Sequence, residues 1–184
     1  LYKGQPLYRS YIIVPASNGN GGAKVGGLKD LKGGVFAYAD PYSNTGYLAP
    51  RYEIRQLGRD PASFFRKTFF TWSHRKVVEA VASGLARGGA VDSYIWETLA
   101  HVEPALAKRT RVVSRSPDYG FPPFVAHRSV SQGDFQLMQS HLLGTAGTER
   151  GRKLLARLYL DGFTTGSPRI YDSVAQMMRA FGES

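Results

Sequence analysis

Apolar positions along the chain follow two alternating periods. Leu7 to Pro15 (LYRSYIIVP) is dense in aromatic and β-branched residues and predicts a strand. Asn18 to Gly27 (NGNGGAKVGG) is turn chemistry, and LKDLKGG after it predicts one helical turn before a second strand at Val35 to Asp40. From Thr45, the spacing of Tyr47, Leu48, Tyr52, Ile54 and Leu57 predicts a helix closed by Gly58. Phe64 to Thr71 predicts a strand, His74 to Arg87 a helix on Val77, Val78, Val81, Ala82 and Leu85, and Ala90 to Ile95 a short strand. Glu97 to Lys108 predicts a helix interrupted by Pro104, and Thr110 to Ser114 a closing strand. Short strands alternating with helices of this length predict an α/β unit with a mainly parallel sheet.

The composition changes at Ser116 to Pro123 (SPDYGFPP), which predicts a turn, with a short strand at Phe124 to Arg128 beyond it. Three helices are expected after that, marked by Phe135, Leu137, Met138 and Leu142, by Leu154, Leu155, Leu158 and Tyr159, and by Val174, Met177, Met178 and Phe181.

At 184 residues, with 42% hydrophobic and 21% charged residues, the chain can bury a core and lies far from the composition of disordered segments. It has no cysteine, which excludes disulfides, thiolate metal sites and cysteine nucleophiles together. No apolar run reaches the about 20 residues a membrane helix needs, and Leu1 to Ser10 lacks the apolar core of a signal peptide. No insertion into a membrane is expected. The net charge is +10, which favours anionic partners. The basic residues are scattered rather than gathered into an arm or one helix, so nucleic acid is not the expected partner.

Candidate chemistry lies where strands give way to helices. The turn Asp40-Pro41-Tyr42-Ser43-Asn44-Thr45-Gly46-Tyr47 sets hydroxyls beside a helix start, whose unpaired N–H groups and positive dipole end attract an oxyanion. In open α/β sheets ligands lie at the carboxyl ends of strands. Ser43 or Thr45 as a plain helix cap is the competing reading. Ser73 and His74 repeat the arrangement at the next helix, where a neutral or charged imidazole could donate to a bound group. Asp92 and Tyr94 end the following strand; Asp92 either accepts from a ligand or caps the next helix. No metal-ligand spacing, Walker loop, nucleophile elbow or dinucleotide fingerprint occurs, so no cofactor and no catalysis are expected.

These residues, taken with YRSYIIV, LKDLKGGVFAYADPYSNTGYLAP, FFRKTFFTWSHRKVVEAVASGLARGGAVDSY, RVVSRSP, PPFVAHRSV and LDGFTTGSPRIYDSV in that order, make the chain resemble the substrate-binding proteins of phosphate, phosphite and phosphonate ABC transporters. This is the phosphonate-binding branch of the periplasmic binding proteins. The resemblance implies a type II periplasmic-binding-protein fold. One complete lobe, 15–114, would carry the anion-binding helix starts. Residues 1–14 and 115–184 would be crossover strands and the C-terminal part of the other lobe, whose N-terminal part this chain lacks. It further implies that Ser43, Asn44, Thr45, Gly46, Ser73, His74, Asp92 and Tyr94 grip a small phosphorus oxyanion. Thr45 replaces the second serine of the family turn and Asn44 is its neighbour, keeping the donor but altering which phosphorus substituent fits. The implied partner is an ABC transporter permease and the implied location the periplasm. A ligand-sensing domain of a signalling protein with the same fold is the alternative.

Overall fold

The computed structural model describes residues 1–17 and 25–182; residues 18–24 of the expected glycine-rich loop lie outside them. Its strands are β1 (Leu7–Tyr8), β2 (Ser10–Pro15), β3 (Val35–Tyr38), β4 (Lys67–Phe70), β5 (Gly88–Asp92), β6 (Thr110–Arg115) and β7 (Tyr119–Gly120). The helices are α1 (Ala49–Gln56), α2 (His74–Ala82), α3 (Ser93–Val102), α4 (Pro104–Ala107), α5 (Gln132–Leu143), α6 (Glu149–Arg157) and α7 (Asp172–Ala180). A 3₁₀ turn at Leu28–Leu31 stands where LKDLKGG predicts one. A wide turn at Asn44–Leu48 runs directly into α1.

Contacts divide the chain into two units. The larger holds Arg9–Asp118 and Ser173–Ser184, and the smaller holds Leu1–Tyr8 and Tyr119–Asp172. The larger unit is built on a five-stranded sheet in the order β4-β3-β5-β2-β6. β3 pairs in parallel with both β4 and β5, as strands joined by helical crossovers must. The expected mainly parallel sheet is corrected on its other side, where β2 lies antiparallel to both β5 and β6. Strand pattern alone does not carry this, because a strand buried on both faces reads as one apolar run in either orientation.

Side chains alternate across the sheet. Tyr11, Ile13, Ala37 and Val91 face Val77, Val78 and Val81 of α2, whereas Ile12, Val14, Phe36 and Tyr38 face Leu28, Leu31, Ile54 of α1 and Phe65. Helices thus cover both faces and leave the strand ends open for chemistry.

Several boundaries move for local reasons. The predicted strand Leu7 to Pro15 breaks at Arg9, whose N–H donates to Ser93 Oγ at 2.9 Å and whose carbonyl accepts from Ser93 N–H. Ser10–Val14 therefore sits inside the larger unit rather than with the residues N-terminal to it. Phe64 and Phe65 are buried as loop residues, so β4 is shorter than predicted. α2 ends at Ala82 because Gly84 takes φ +79°, and α1 is closed by Gly58 at φ +68° as expected. Ser93 to Ile95 are helical because Asp92 caps them. Pro104 does interrupt its helix, with Glu103 non-helical at φ −133°, ψ 60° between α3 and α4.

In the smaller unit β1 pairs with β7 antiparallel, Leu7 opposite Gly120. The strand predicted at Phe124 to Arg128 does not form, since Pro122 and Pro123 remove ladder donors just before it. α5 and α6 stand where predicted, with Leu155 buried while Leu154 and Leu158 are exposed.

Candidate functional site

Three strand-to-helix junctions of the larger unit converge at the carboxyl ends of β3, β4 and β5. After β3, Asp40 shapes a tight turn: its Oδ1 accepts from Tyr42 N–H at 2.9 Å and its carbonyl from Ser43 N–H at 3.2 Å. Ser43 then caps the helix start, its Oγ accepting from Gly46 N–H at 2.9 Å. The hydroxyl named as a candidate ligand donor is thus also the helix cap.

Only glycine fits at position 46. A Cβ there would lie 2.4 Å from Ala39 Cβ, 2.9 Å from Ser43 Oγ and 3.0 Å from His74 Cε1. The helix start therefore approaches both β3 and the imidazole closely. Thr45 is 1% exposed, and its carbonyl accepts from Ser10 Oγ at 2.6 Å. The residue is therefore closed off from solvent. Asn44 is half-buried in the first turn.

At the second junction Ser73 is extended and begins α2, but its hydroxyl makes no capping bond. Its carbonyl is engaged instead, accepting from Thr71 Oγ1 at 2.8 Å and from Val77 N–H at 3.1 Å. His74 Nδ1 accepts from Asp92 N–H at 3.1 Å, and His74 Nε2 lies 3.4 Å from Ser43 Oγ. Burial lowers the imidazole pKa below its ordinary value, with the Asp40 charge opposing. With Nδ1 occupied as an acceptor, the neutral ring carries its proton on Nε2, directed at Ser43. Ser43 Oγ thus faces two N–H donors, which turns its own O–H outward as a donor.

At the third junction Asp92 caps α3, with Oδ1 accepting from Tyr94 N–H at 2.7 Å and Ile95 N–H at 3.3 Å. Burial pushes its carboxyl up to about 6, partly offset by these two bonds. Desolvation and then the neighbouring Asp92 raise the Tyr94 phenol, which keeps its proton. The structure therefore brings Ser43, Gly46, His74 and Asp92 into one bonded set, with Ser73 and Tyr94 adjacent in sequence. Sequence reasoning missed Ser10, a polar residue inside an apolar strand run, and Trp72, which adopts φ +60° between Thr71 and Ser73.

The family model described as ABC transporter, phosphonate, periplasmic substrate-binding protein matches residues 2–171. The chain belongs to that family. A probable ABC transporter phosphite binding protein of Prochlorococcus marinus (strain MIT 9301) is 29% identical to this family member over 115 residues, 62% of this chain and 37% of that protein. The binding protein component of an ABC phosphonate transporter from Pseudomonas aeruginosa superposes with a TM-score of 0.84 at 23% identity, covering 96% of this chain and 59% of that one. A Prochlorococcus marinus family structure in complex with methylphosphonate gives 0.85 at 19% identity, covering 100% of this chain and 70% of that one. The fold is the type II periplasmic-binding-protein fold, and the chain spans 37% and 59% of the first two relatives' lengths.

A cavity of about 290 Å³ lies elsewhere, within the smaller unit, walled mainly by Phe121, Phe124, Phe135, Met138, Leu142 and Phe163. Its apolar lining does not suit an oxyanion. Among the described residues no cluster of His, Asp and Glu is placed to hold a metal, and no helix is long and apolar enough to cross a membrane.

Proposed function

We propose that this chain captures a small phosphorus oxyanion, phosphate, phosphite or a phosphonate, and presents it to the permease of an ABC transporter. One observation carries the reading: His74 bridges the Ser43 helix start to the Asp92 backbone, so three junctions present their donors together. Two helix starts, the Ser43 and Ser73 hydroxyls and the Tyr94 phenol offer neutral donors, and the +10 charge speeds encounter. Family membership supports the same reading, and so does the methylphosphonate in a relative of like fold.

In this reading the ligand oxygens take hydrogen bonds from Ser43 Oγ–H, the first-turn N–H of Asn44, and Ser73 at the α2 start. Gly46 is small so that the backbone can approach. His74 holds Ser43 in a donating orientation, and Asp92, closing the bonded set with Tyr94 beside it, stands where a ligand O–H or N–H would find an acceptor. The larger unit, Arg9–Asp118 with Ser173–Ser184, would be the anion-binding lobe, and the smaller unit would belong with the other lobe, which moves the expected boundaries at 14 and 115 and places the last helix with the anion-binding lobe. The role is capture without catalysis, in the periplasm.

A thermal-unfolding panel with phosphate, phosphite, methylphosphonate, aminoethylphosphonate and sulfate tests it. A phosphorus anion held at 100 times its Kd adds about 2.7 kcal/mol of stability, with sulfate inert. Stabilisation by none of the phosphorus anions overturns the proposal.

A further inference from the structure

The end of the five-stranded sheet opposite the candidate site is basic. Parallel strands β3, β4 and β5 begin there, and so does β6, because β5 and β6 both run against β2. Pairing sets their approaches side by side. Lys67 stands opposite Val35, Arg66 N–H donates to Gly34 O at 3.0 Å, and Arg87 N–H donates to Val35 O at 2.9 Å. Gly33 N–H donates to Phe64 O at 2.9 Å, which brings Lys32 to the approach of β4. Thr110 stands opposite Pro15 directly after Lys108 and Arg109. Lys32, Arg66, Lys67, Arg87, Lys108 and Arg109 are all exposed, and with strands about 4.8 Å apart they share an area about 20 Å across. They come from separate stretches of the chain, so the sequence shows them as scattered.

The neighbouring carboxylates are occupied within their own loops. Asp30 Oδ2 accepts from Gly26 N–H at 2.8 Å, and Asp60 accepts from Ala62 N–H at 2.9 Å and from Ser63 Oγ–H at 3.1 Å. Ion pairs of this unit are made elsewhere, by Arg9 with Asp118 and by Arg75 with Glu79 and Glu103. Two of the cations serve the fold: Arg109 donates to Ala82 O at 2.9 Å at the negative end of α2, and Lys67 guards the open edge of β4. That service does not call for Lys32, Arg66, Arg87 and Lys108 beside them, where like charges repel.

Leu85 belongs to the same end. The sequence pattern sets it on the apolar face of a helix, yet α2 ends at Ala82 and leaves Leu85 65% exposed, two residues before Arg87. An apolar side chain among cations suits an anionic lipid surface, where phosphates meet the charges and the aliphatic group enters the interface.

We infer that this end of the larger unit docks peripherally on an anionic phospholipid bilayer. The cations are spread over several loops at one sheet end, which suits a broad charged surface better than the single helix or groove that follows a nucleic-acid backbone. Docking at the strand starts leaves the strand carboxyl ends, with the candidate site, turned toward the medium. This goes beyond the proposed function: it stands on the placement of charge and not on which anion is captured.

Co-sedimentation with vesicles of phosphatidylcholine alone and of phosphatidylcholine mixed with phosphatidylglycerol tests it. Binding to the anionic vesicles is expected to be at least about tenfold tighter and to vanish at about 0.5 M salt. The double variant Lys67→Glu, Arg87→Glu should weaken that binding by about tenfold or more. The control pair Arg150→Glu, Arg157→Glu, with exposed side chains on α6 of the smaller unit, changes net charge equally and should stay within about twofold. Equal loss in both pairs would assign the attraction to net charge and overturn the docking surface. Equal binding to both kinds of vesicle, or tighter binding to duplex DNA than to anionic vesicles, overturns it as well. Circular dichroism checks that the variants fold; if Lys67→Glu, Arg87→Glu does not, Lys32→Glu, Lys108→Glu takes its place with the same expected loss. Each of these failures leaves the proposed function standing, because that is read from anion binding and not from lipid.

Discussion

His74 Nδ1 takes its hydrogen bond from the main-chain N–H of Asp92, and this bond decides which nitrogen of the ring faces Ser43. A main-chain donor cannot rotate away, so the tautomer is set by the register of β5 against its neighbours. His74→Ala leaves a part-buried N–H without its acceptor and frees the Ser43 hydroxyl from its orienting partner. Stability is expected to drop by about 1–3 kcal/mol, and affinity for the phosphorus anion by about tenfold or more. Urea unfolding and calorimetry measure the two separately; unchanged affinity would remove His74 from the site.

Gly46→Ala forces a methyl against Ala39 Cβ, which is part of the buried strand end and has no flexible tip to move aside. A loss of about 1–3 kcal/mol is expected, with weakened anion binding as Ser43 and His74 shift. Gly133→Ala serves as control: it lies in α5, where an added Cβ meets Ser131 Oγ at an ordinary 3.9 Å. That variant should be unchanged or more stable by up to about 1 kcal/mol. If the two substitutions behave alike in chemical denaturation, close approach at Gly46 is not the reason for its glycine.

Ser43 and Ser73 separate capping from binding. Ser43 Oγ accepts from Gly46 N–H, whereas the Ser73 hydroxyl makes no capping bond. Ser43→Ala should cost about 1 kcal/mol of stability, and Ser73→Ala less than about 0.5 kcal/mol. Both should weaken anion binding. A Ser73→Ala protein that binds as tightly as the parent would show that this hydroxyl does not reach the ligand.

The pH dependence of stability has two opposed contributions. Burial holds the Asp92 carboxyl at about 6 against 3.8 in an unfolded chain. Its contribution favours the fold below about pH 4 and is lost as pH rises through 6. His74, lowered by burial, contributes fully above its ordinary 6.5 and loses that contribution as pH falls. Asp92→Asn removes the first effect while keeping an oxygen to cap α3. The variant should be more stable than the parent by about 1–3 kcal/mol at pH 8 and show no such gain at pH 4. A stability difference identical at both pH values would show that the carboxyl is not costly to ionise.

Much of this was legible along the chain because it is local. The strands and helices from Val35 to Arg115, the break at Pro104 and the closure at Gly58 follow from side-chain period, proline and glycine, which act within a few residues. The hydroxyl-rich junctions at Ser43 and Ser73, and the ordered segments that mark the family, were equally readable. What depends on chain segments far apart was not. The insertion of β2 antiparallel between β5 and β6 is a choice of partner, and its apolar run fits either direction. Thr45 carries the same hydroxyl as a ligand donor, yet it is buried, and its carbonyl accepts from Ser10, 35 positions away. Trp72 takes its left-handed turn because Ala39 on another strand accepts its N–H. Period and capping chemistry determined the elements and the residue types at their ends; strand pairing and packing decided which of those ends meet, and so which side chains come together at the candidate site.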